Sequence, residues 1–153
     1  MKKLLIVLIL AAVLMGCKST GPTGFSSVAG KEWKLIEVRI DNELRREILF
    51  DRASLTRETQ GTYYTIKFET ESLGGVAAPN RFNAPYALGE QEGDISINPM
   101  RSTMMASLSQ PLKLRESDFF QFMQNVYKWE LVNTNLVLFS KNENGEEIRM
   151  LFS

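Results

Sequence analysis

The sequence predicts an α+β domain: a succession of antiparallel strands with a single amphipathic helix. Three observations carry this. Short segments alternate apolar and polar residues with period two, Asn- and Gly-rich turns separate them, and a single stretch shows the helical period.

Taken in order, KEWKLIEVRI (31–40) places Ile36, Val38 and Ile40 on one face, with Trp33 and Leu35 on the other. REILFDR (46–52) reads as a short strand, although its charges also allow a helical turn. TYYTIKFE (62–69) alternates with Tyr64, Ile66 and Phe68 inward and Tyr63, Thr65, Lys67 and Glu69 outward. RFNAPYAL (81–88) alternates through Phe82, Ala84, Tyr86 and Leu88, and DISIN (94–98) through Ile95 and Ile97. WELVN (129–133), NLVLFSK (135–141) and EEIRMLF (146–152) complete the set, the last with Ile148, Met150 and Phe152 on one face. Gly89 to Gly93, Asn133-Thr134-Asn135 and Asn144-Gly145 supply turns, since Asn and Gly tolerate positive φ. In ESDFFQFMQNVYKW, Phe119, Phe122, Met123 and Val126 stand at i, i+3, i+4 and i+7, one helical face. A helix from Ser117 to about Lys128 follows, with Ser117 or Asp118 as its cap. It must bury that face against the curved sheet.

The first thirty residues bear on address. Lys2 and Lys3 precede an apolar run from Leu4 to Leu14, too short for a lone bilayer span of about 20 residues but suited to a signal-peptide core. The run ends in Leu14-Met15-Gly16-Cys17, which resembles a bacterial lipobox. That resemblance implies a signal peptide of residues 1–16, cleavage before Cys17, and acyl chains (palmitate among them) on the new N-terminal cysteine. The competing reading is an ordinary signal peptide with an incidental cysteine. Two or three chains anchor stably where one does not. KSTGPTGFSSVAG (18–30) is small and polar, so residues 17–30 are expected to be the lipidated cysteine and a flexible tether, with the domain at 31–153. The alternative is a first strand docked through Phe25 and Val28. Without the leader's two lysines the chain carries 16 basic and 18 acidic side chains, a net charge of −2, and shows no basic stripe. Nucleic acid is therefore not an expected partner.

The stretch GGVAAPNRFNAPY (74–86) stands out, with two asparagines, an arginine and two aromatics among small residues and prolines. Pro85 cannot donate a ladder hydrogen bond, so its strand is expected at an edge or with a bulge. An unpaired edge would give another strand a place to dock. Structurally, Pro79 and Asn80 shape the entry, Phe82 and Tyr86 fill the core, and Arg81 lies outside. Functionally, Asn80, Arg81 and Tyr86, with Thr103 and Met105, would rim a groove. The structural role is the stronger of the two compatible readings.

The order Trp33-x-Leu35, Tyr64-x-x-x-Phe68, then Gly75-x-x-x-Pro79-Asn80-Arg81-Phe82-x-x-x-Tyr86 resembles the META/HslJ lipoprotein family. So do Ser102-Thr103-Met104-Met105-Ala106, the helix led by Glu116 with Phe119 and Phe120, Leu136-x-Leu138, and the terminal Met150-Leu151-Phe152. The resemblance implies an antiparallel, partly open β-barrel or strongly curved sheet of about eight strands with one helix. It also implies an envelope protein loosely linked to heat stress, drug resistance, secretion or virulence, with no catalytic residues to carry over. Many members read Gly-Cys-Asn at Ala78-Pro79-Asn80 and Met-Ala-Cys at Met105-Ala106-Ser107. Neither cysteine is present here, and the pattern suggests that the two segments lie side by side.

With no histidine in the chain, a Ser-His-Asp triad and imidazole metal ligation are excluded. No thiol other than Cys17 exists. The acidic turns GEQEGD (89–94) and NENGEE (142–147) are shorter than calcium loops and read as solvated hairpins. No catalytic residue, metal or cofactor is expected. The function expected is a non-enzymatic, lipid-anchored cell-envelope protein, at the outer rather than the inner membrane. It would be a monomer that binds a partner polypeptide. A carrier of a small apolar ligand and an inhibitor of an attacking hydrolase, the latter presenting Arg81, are the alternatives.

Overall fold

The computed structural model describes residues 24–106, 110, 111 and 113–153. The signal peptide and Cys17 lie outside the described residues. Among the described residues ten strands form one antiparallel sheet: β1 (Glu32–Asp41), β2 (Arg46–Asp51), β3 (Thr65–Phe68), β4 (Ser72–Val76), β5 (Arg81–Leu88), β6 (Ile95–Ile97), β7 (Arg101–Ser102), β8 (Lys128–Val132), β9 (Asn135–Lys141) and β10 (Glu147–Phe152). One α-helix among the described residues, α1 (Glu116–Gln124), interrupts the series. The spatial order is β6-β5-β4-β3-β1-β10-β9-β8, with β2 added to β1 and β7 added to β5. The sheet curls without closing as a ladder. Its end strands touch where Trp129 N–H donates to Gly93 O (2.8 Å) and Ile95 N–H to Tyr127 O (3.3 Å).

The interior is rich in rings. At one end Phe25, Phe68, Tyr86 and Trp129 meet at centroid distances of 5.1–5.4 Å. At the other, Tyr64 meets Phe50 and Phe119 at 5.1 Å each, and Phe82 meets Phe119 and Phe120 at 5.8 and 5.6 Å. Edge-to-face geometry prevails among them, the arrangement that ring quadrupoles favour. α1 lays Phe119, Phe122 and Met123 into this interior, as its apolar stripe requires. The helix is shorter than expected, ending at Gln124. Beyond it Tyr127 N–H donates to Phe139 O (3.0 Å), so the chain has already joined β9, and Val126 is buried without being helical. Its first turn is held by Asp118 Oδ2, which accepts from Arg115 N–H (2.9 Å), whereas Ser117 caps nothing.

β1 departs instructively from simple alternation. Trp33, Leu35, Val38 and Ile40 are all buried, because a bulge between Leu35 and Glu37 shifts the phase by one residue. Here β1 exchanges β3 for β2 as neighbour. The Arg52 guanidinium occupies the junction, donating to Leu35 O (2.5 Å), Tyr63 O (2.7 Å) and Gln60 O.

Residues 24–30 correct the expected domain start at Lys31. Phe25–Ser27 form a 3₁₀ turn, Phe25 and Val28 are buried, and Val28 O accepts from Trp33 Nε1 (2.9 Å). This segment is part of the core and not of a tether, and it docks as a turn, not as a strand. Aromatic contact explains it: Phe25 closes the end of the sheet that α1 leaves open. Phe25→Ala is therefore expected to cost about 3 kcal/mol of stability, read as a shift in the urea midpoint.

β5 corrects the edge expectation. It pairs with β4 through residues 81–85 on one side. On the other it pairs with β7 at Phe82 and Asn83 and with β6 at 86–88. Tyr86 N–H donates to Glu71 O, toward β4, so alternation turns Pro85 the other way. The missing donor thus falls in the interval where one neighbour ends and the next begins, and Pro85 O still accepts from Asn98 N–H (3.3 Å). β5 is an interior strand, and an incoming strand has no place along it.

Candidate functional site

Asn80, Thr103 and Met105 are brought together as the sequence suggested, around the turn that leads into β5. Asn80 is only 4% exposed. Its Oδ1 accepts from Thr103 Oγ1 (2.7 Å) and Met105 N–H (2.7 Å). Its Nδ2 donates to Met105 O (3.0 Å) and to Glu116 Oε2 (2.6 Å). The carboxamide therefore exchanges a donor and an acceptor with Met105, as one strand residue does with another. It prolongs the β5–β7 ladder past Arg81, whose carbonyl accepts from Thr103 N–H (3.0 Å).

Glu116, the first residue of α1, completes the arrangement. Its Oε1 accepts from Ala78 N–H (2.9 Å) and Asn80 N–H (2.8 Å). A half-buried carboxylate at a helix N-terminus benefits from the peptide dipoles and from charge-assisted bonds. One acid thus ties the turn at 77–80 to the helix, and one amide ties that turn to 103–105. The chemistry is that of a rivet, with every polar atom of the Asn80 side chain engaged within the protein.

Reading the sequence missed Glu116 as part of this group. The available signal was an acid at the start of a helix that must lie against the sheet, where unpaired backbone donors attract it. The side-by-side placement of the 78–80 and 105–107 segments holds as far as Met105, with Ser107 outside the described residues.

Arg81 is adjacent but plays no part in the network through its side chain; it lies on the outer face beside an open depression of 280 Å³ shared with Asn83, Arg101 and Thr103. Tyr86 is not part of the group. Five residues farther along β5, about 16 Å at strand rise, its hydroxyl donates to Glu69 O (2.7 Å) and its ring lies against Phe25 and Phe68. The groove rimmed by all five residues does not form.

Beneath the network lies Tyr64, fully buried, with its hydroxyl donating to Leu114 O (2.9 Å). Burial, reinforced by the Glu116 and Asp118 carboxylates, raises the Tyr64 phenol well above its usual range. The fold thus favours the neutral phenol, and its contribution is complete below about pH 10. Above that the unfolded chain ionises first, and stability falls by about 1.4 kcal/mol per pH unit until the folded group titrates. Tyr127 is raised to about 12 by burial and its bond to Glu147, and adds to the slope. In a Tyr127→Phe background, Tyr64→Phe is expected to flatten the stability profile between pH 10 and 12; an unchanged profile would contradict the assignment.

Among the described residues no group of three or more His, Cys, Asp or Glu is placed to hold a metal ion. No helix among them is long and apolar enough to cross a membrane.

This architecture, a curled antiparallel sheet carrying one helix, is shared with solved bacterial structures. A protein from Burkholderia xenovorans, solved by NMR, superposes with a TM-score of 0.57 at 17% identity, covering 87% of this chain and 88% of its own. A DUF4847 family protein from Bacteroides vulgatus, a crystal structure, gives 0.55 at 13% identity, covering 84% and 95%. At such identities the likeness concerns the fold. The META domain model matches residues 26–151, and the chain belongs to the META domain family. The match begins within the Phe25–Ser27 turn, consistent with that turn being part of the domain. No curated protein matches the chain.

Proposed function

We propose that this META domain protein is a non-enzymatic, lipid-anchored component of the cell envelope that binds a partner polypeptide. The observation that carries the reading is the closed hydrogen-bond set of Asn80. The polar residues that most resembled a site are engaged in holding backbone, so function falls to the surface they position. The carrier alternative is disfavoured because the space under α1 is filled by Phe50, Tyr64, Phe82 and Phe119. The basic residues, apolar run and Cys17 of the first seventeen positions support the anchor.

Two arms test the reading. Metabolic labelling with an alkynyl palmitate is expected to mark the wild-type chain and to leave Cys17→Ala unlabelled and absent from the outer-membrane fraction. Cross-linked pull-down from intact cells is expected to recover an envelope protein reproducibly. Labelling that survives Cys17→Ala sinks the anchor, and repeated recovery of no partner sinks the binding role.

A further inference from the structure

We propose that the run 101–105 is a strand-docking edge that takes an extended, acidic segment of the partner polypeptide. This rests on the partner-binding reading above and names the surface and its chemistry. Among the described residues β7 pairs only with β5, so its other side carries no ladder. Thr103 N–H points inward to Arg81 O, and both backbone groups of Met105 bond the Asn80 amide. Alternation therefore turns the N–H and C=O of Ser102 and Met104 outward, a pair of rungs for an added strand. The edge is rigid because Asn80 holds it, which lowers the ordering cost of docking.

Charge selects the occupant. Arg101 stands on β7 and Arg81 on β5 behind it, both on the outer face around one depression with Asn83 and Thr103. Among the described residues neither guanidinium has a carboxylate within 4.0 Å. The other lateral strands differ. On β2, Arg46 is paired with Asp41, and Glu47 with Arg45 and Lys113. On β8, Lys128 is paired with Glu130. The charges on those edges are already neutralised within the protein and, among the described residues, offer an acidic segment no free cation. The 101–105 edge instead offers two unneutralised guanidiniums, and beside them Met104, 98% exposed, and Met105. Arginine suits carboxylates through paired N–H donors, and exposed methionines accept varied apolar side chains. An extended segment alternating acidic and apolar residues satisfies all three features.

The test uses the full-length mature chain in detergent micelles and a peptide of about ten residues alternating Glu and Val, beside its Lys–Val counterpart. The Glu peptide is expected to bind, to slow amide exchange at Ser102 and Met104, and to bind more weakly in high salt. Arg81→Gln/Arg101→Gln, both at exposed positions, is expected to weaken binding roughly tenfold with the melting temperature unchanged. Equal binding of the Lys peptide, protection at 46–51 instead, or binding to phosphatidylglycerol vesicles but not to the peptide would each overturn the proposal. A cellular partner captured undiminished by the double variant would overturn this edge while leaving partner binding intact. Peptide binding with no partner recovered from cells would support the edge and count against the wider reading.

Discussion

Asn80→Ala is expected to destabilise the domain by about 4 kcal/mol, lowering the thermal midpoint by roughly 10–15 °C. The side chain makes four hydrogen bonds at 2.6–3.0 Å, one to the Glu116 carboxylate, from a position almost without solvent. Alanine takes the partner from Met105 N–H, Met105 O and the Thr103 hydroxyl proton, and removes one of the three donors that hold Glu116. Net contributions near 1 kcal/mol per bond, more for the charged one, sum to that figure. Asn80→Asp should be no milder, since the atom donating to Glu116 Oε2 becomes an acceptor facing a second carboxylate. Asn83→Ala, exposed on β5 just beyond, should stay within about 0.5 kcal/mol. Urea unfolding of the three variants provides the comparison, and a tolerated Asn80→Asp would contradict the rivet.

Gly75→Ala is expected to be at least as damaging, at about 4 kcal/mol or more, with much of the protein failing to fold. A Cβ at Gly75 would stand 1.9 Å from Thr65 O and 2.9 Å from Thr65 C, both backbone atoms of the paired β3, and 3.0 Å from Phe82 Cζ. Backbone inside a ladder cannot withdraw as a side-chain tip can, so the strands must separate. The neighbouring Gly74 meets only Phe82 O at 3.3 Å, and Gly74→Ala should cost under about 1 kcal/mol. Circular dichroism melts of the pair would show the contrast, and equal behaviour would mean that β3 and β4 do not approach as closely as described.

Gly75 also illustrates where the sequence became hard to read. Strands with clear alternation, such as 64–68 and 135–152, could be placed from residue pattern because burial on one face imposes period two. Ser72–Val76 carries two glycines, which present no side chain to either face, so periodicity had nothing to register and β4 went unnoticed. Residues 33–40 were recognised as a strand, but a bulge reversed the expected facing of Trp33 and Leu35. No local pattern announces a bulge that a change of neighbour demands. Pro85 signalled a gap in pairing correctly; whether that gap was an edge or an interval between two partners depended on β6 and β7, far along the chain. Phe25 and Val28 were too sparse to make a docked strand more than the alternative to a tether, and the ring cluster with Phe68 and Trp129 accounts for the burial of Phe25.

The candidate site was legible in the same partial way. Asn80, Thr103 and Met105 were named together because the motifs flanking them resembled one family, and three-dimensional proximity agrees. Tyr86 failed because a strand of eight residues carries its ends apart. Arg81 lies on the outer face, as the structural reading had it, and the groove rim of the other reading does not form; its neighbour there, Arg101, is one that only strand pairing could supply. Glu116 shows the general limit: two of its carboxylate's three partners are backbone amides, at Ala78 and Asn80, and backbone groups leave no trace in residue identity.

The central claim is that the Asn80 carboxamide serves as a rung of the sheet, joining β5 to the 103–105 run and to α1. Proton exchange of that single side chain, followed by NMR on selectively labelled protein, tests it most directly. The account predicts that the Asn80 Nδ2 protons exchange far more slowly than those of the solvent-exposed Asn144. Exchange of the two at the same rate would mean that the rung does not exist, and the docking edge it supports would go with it.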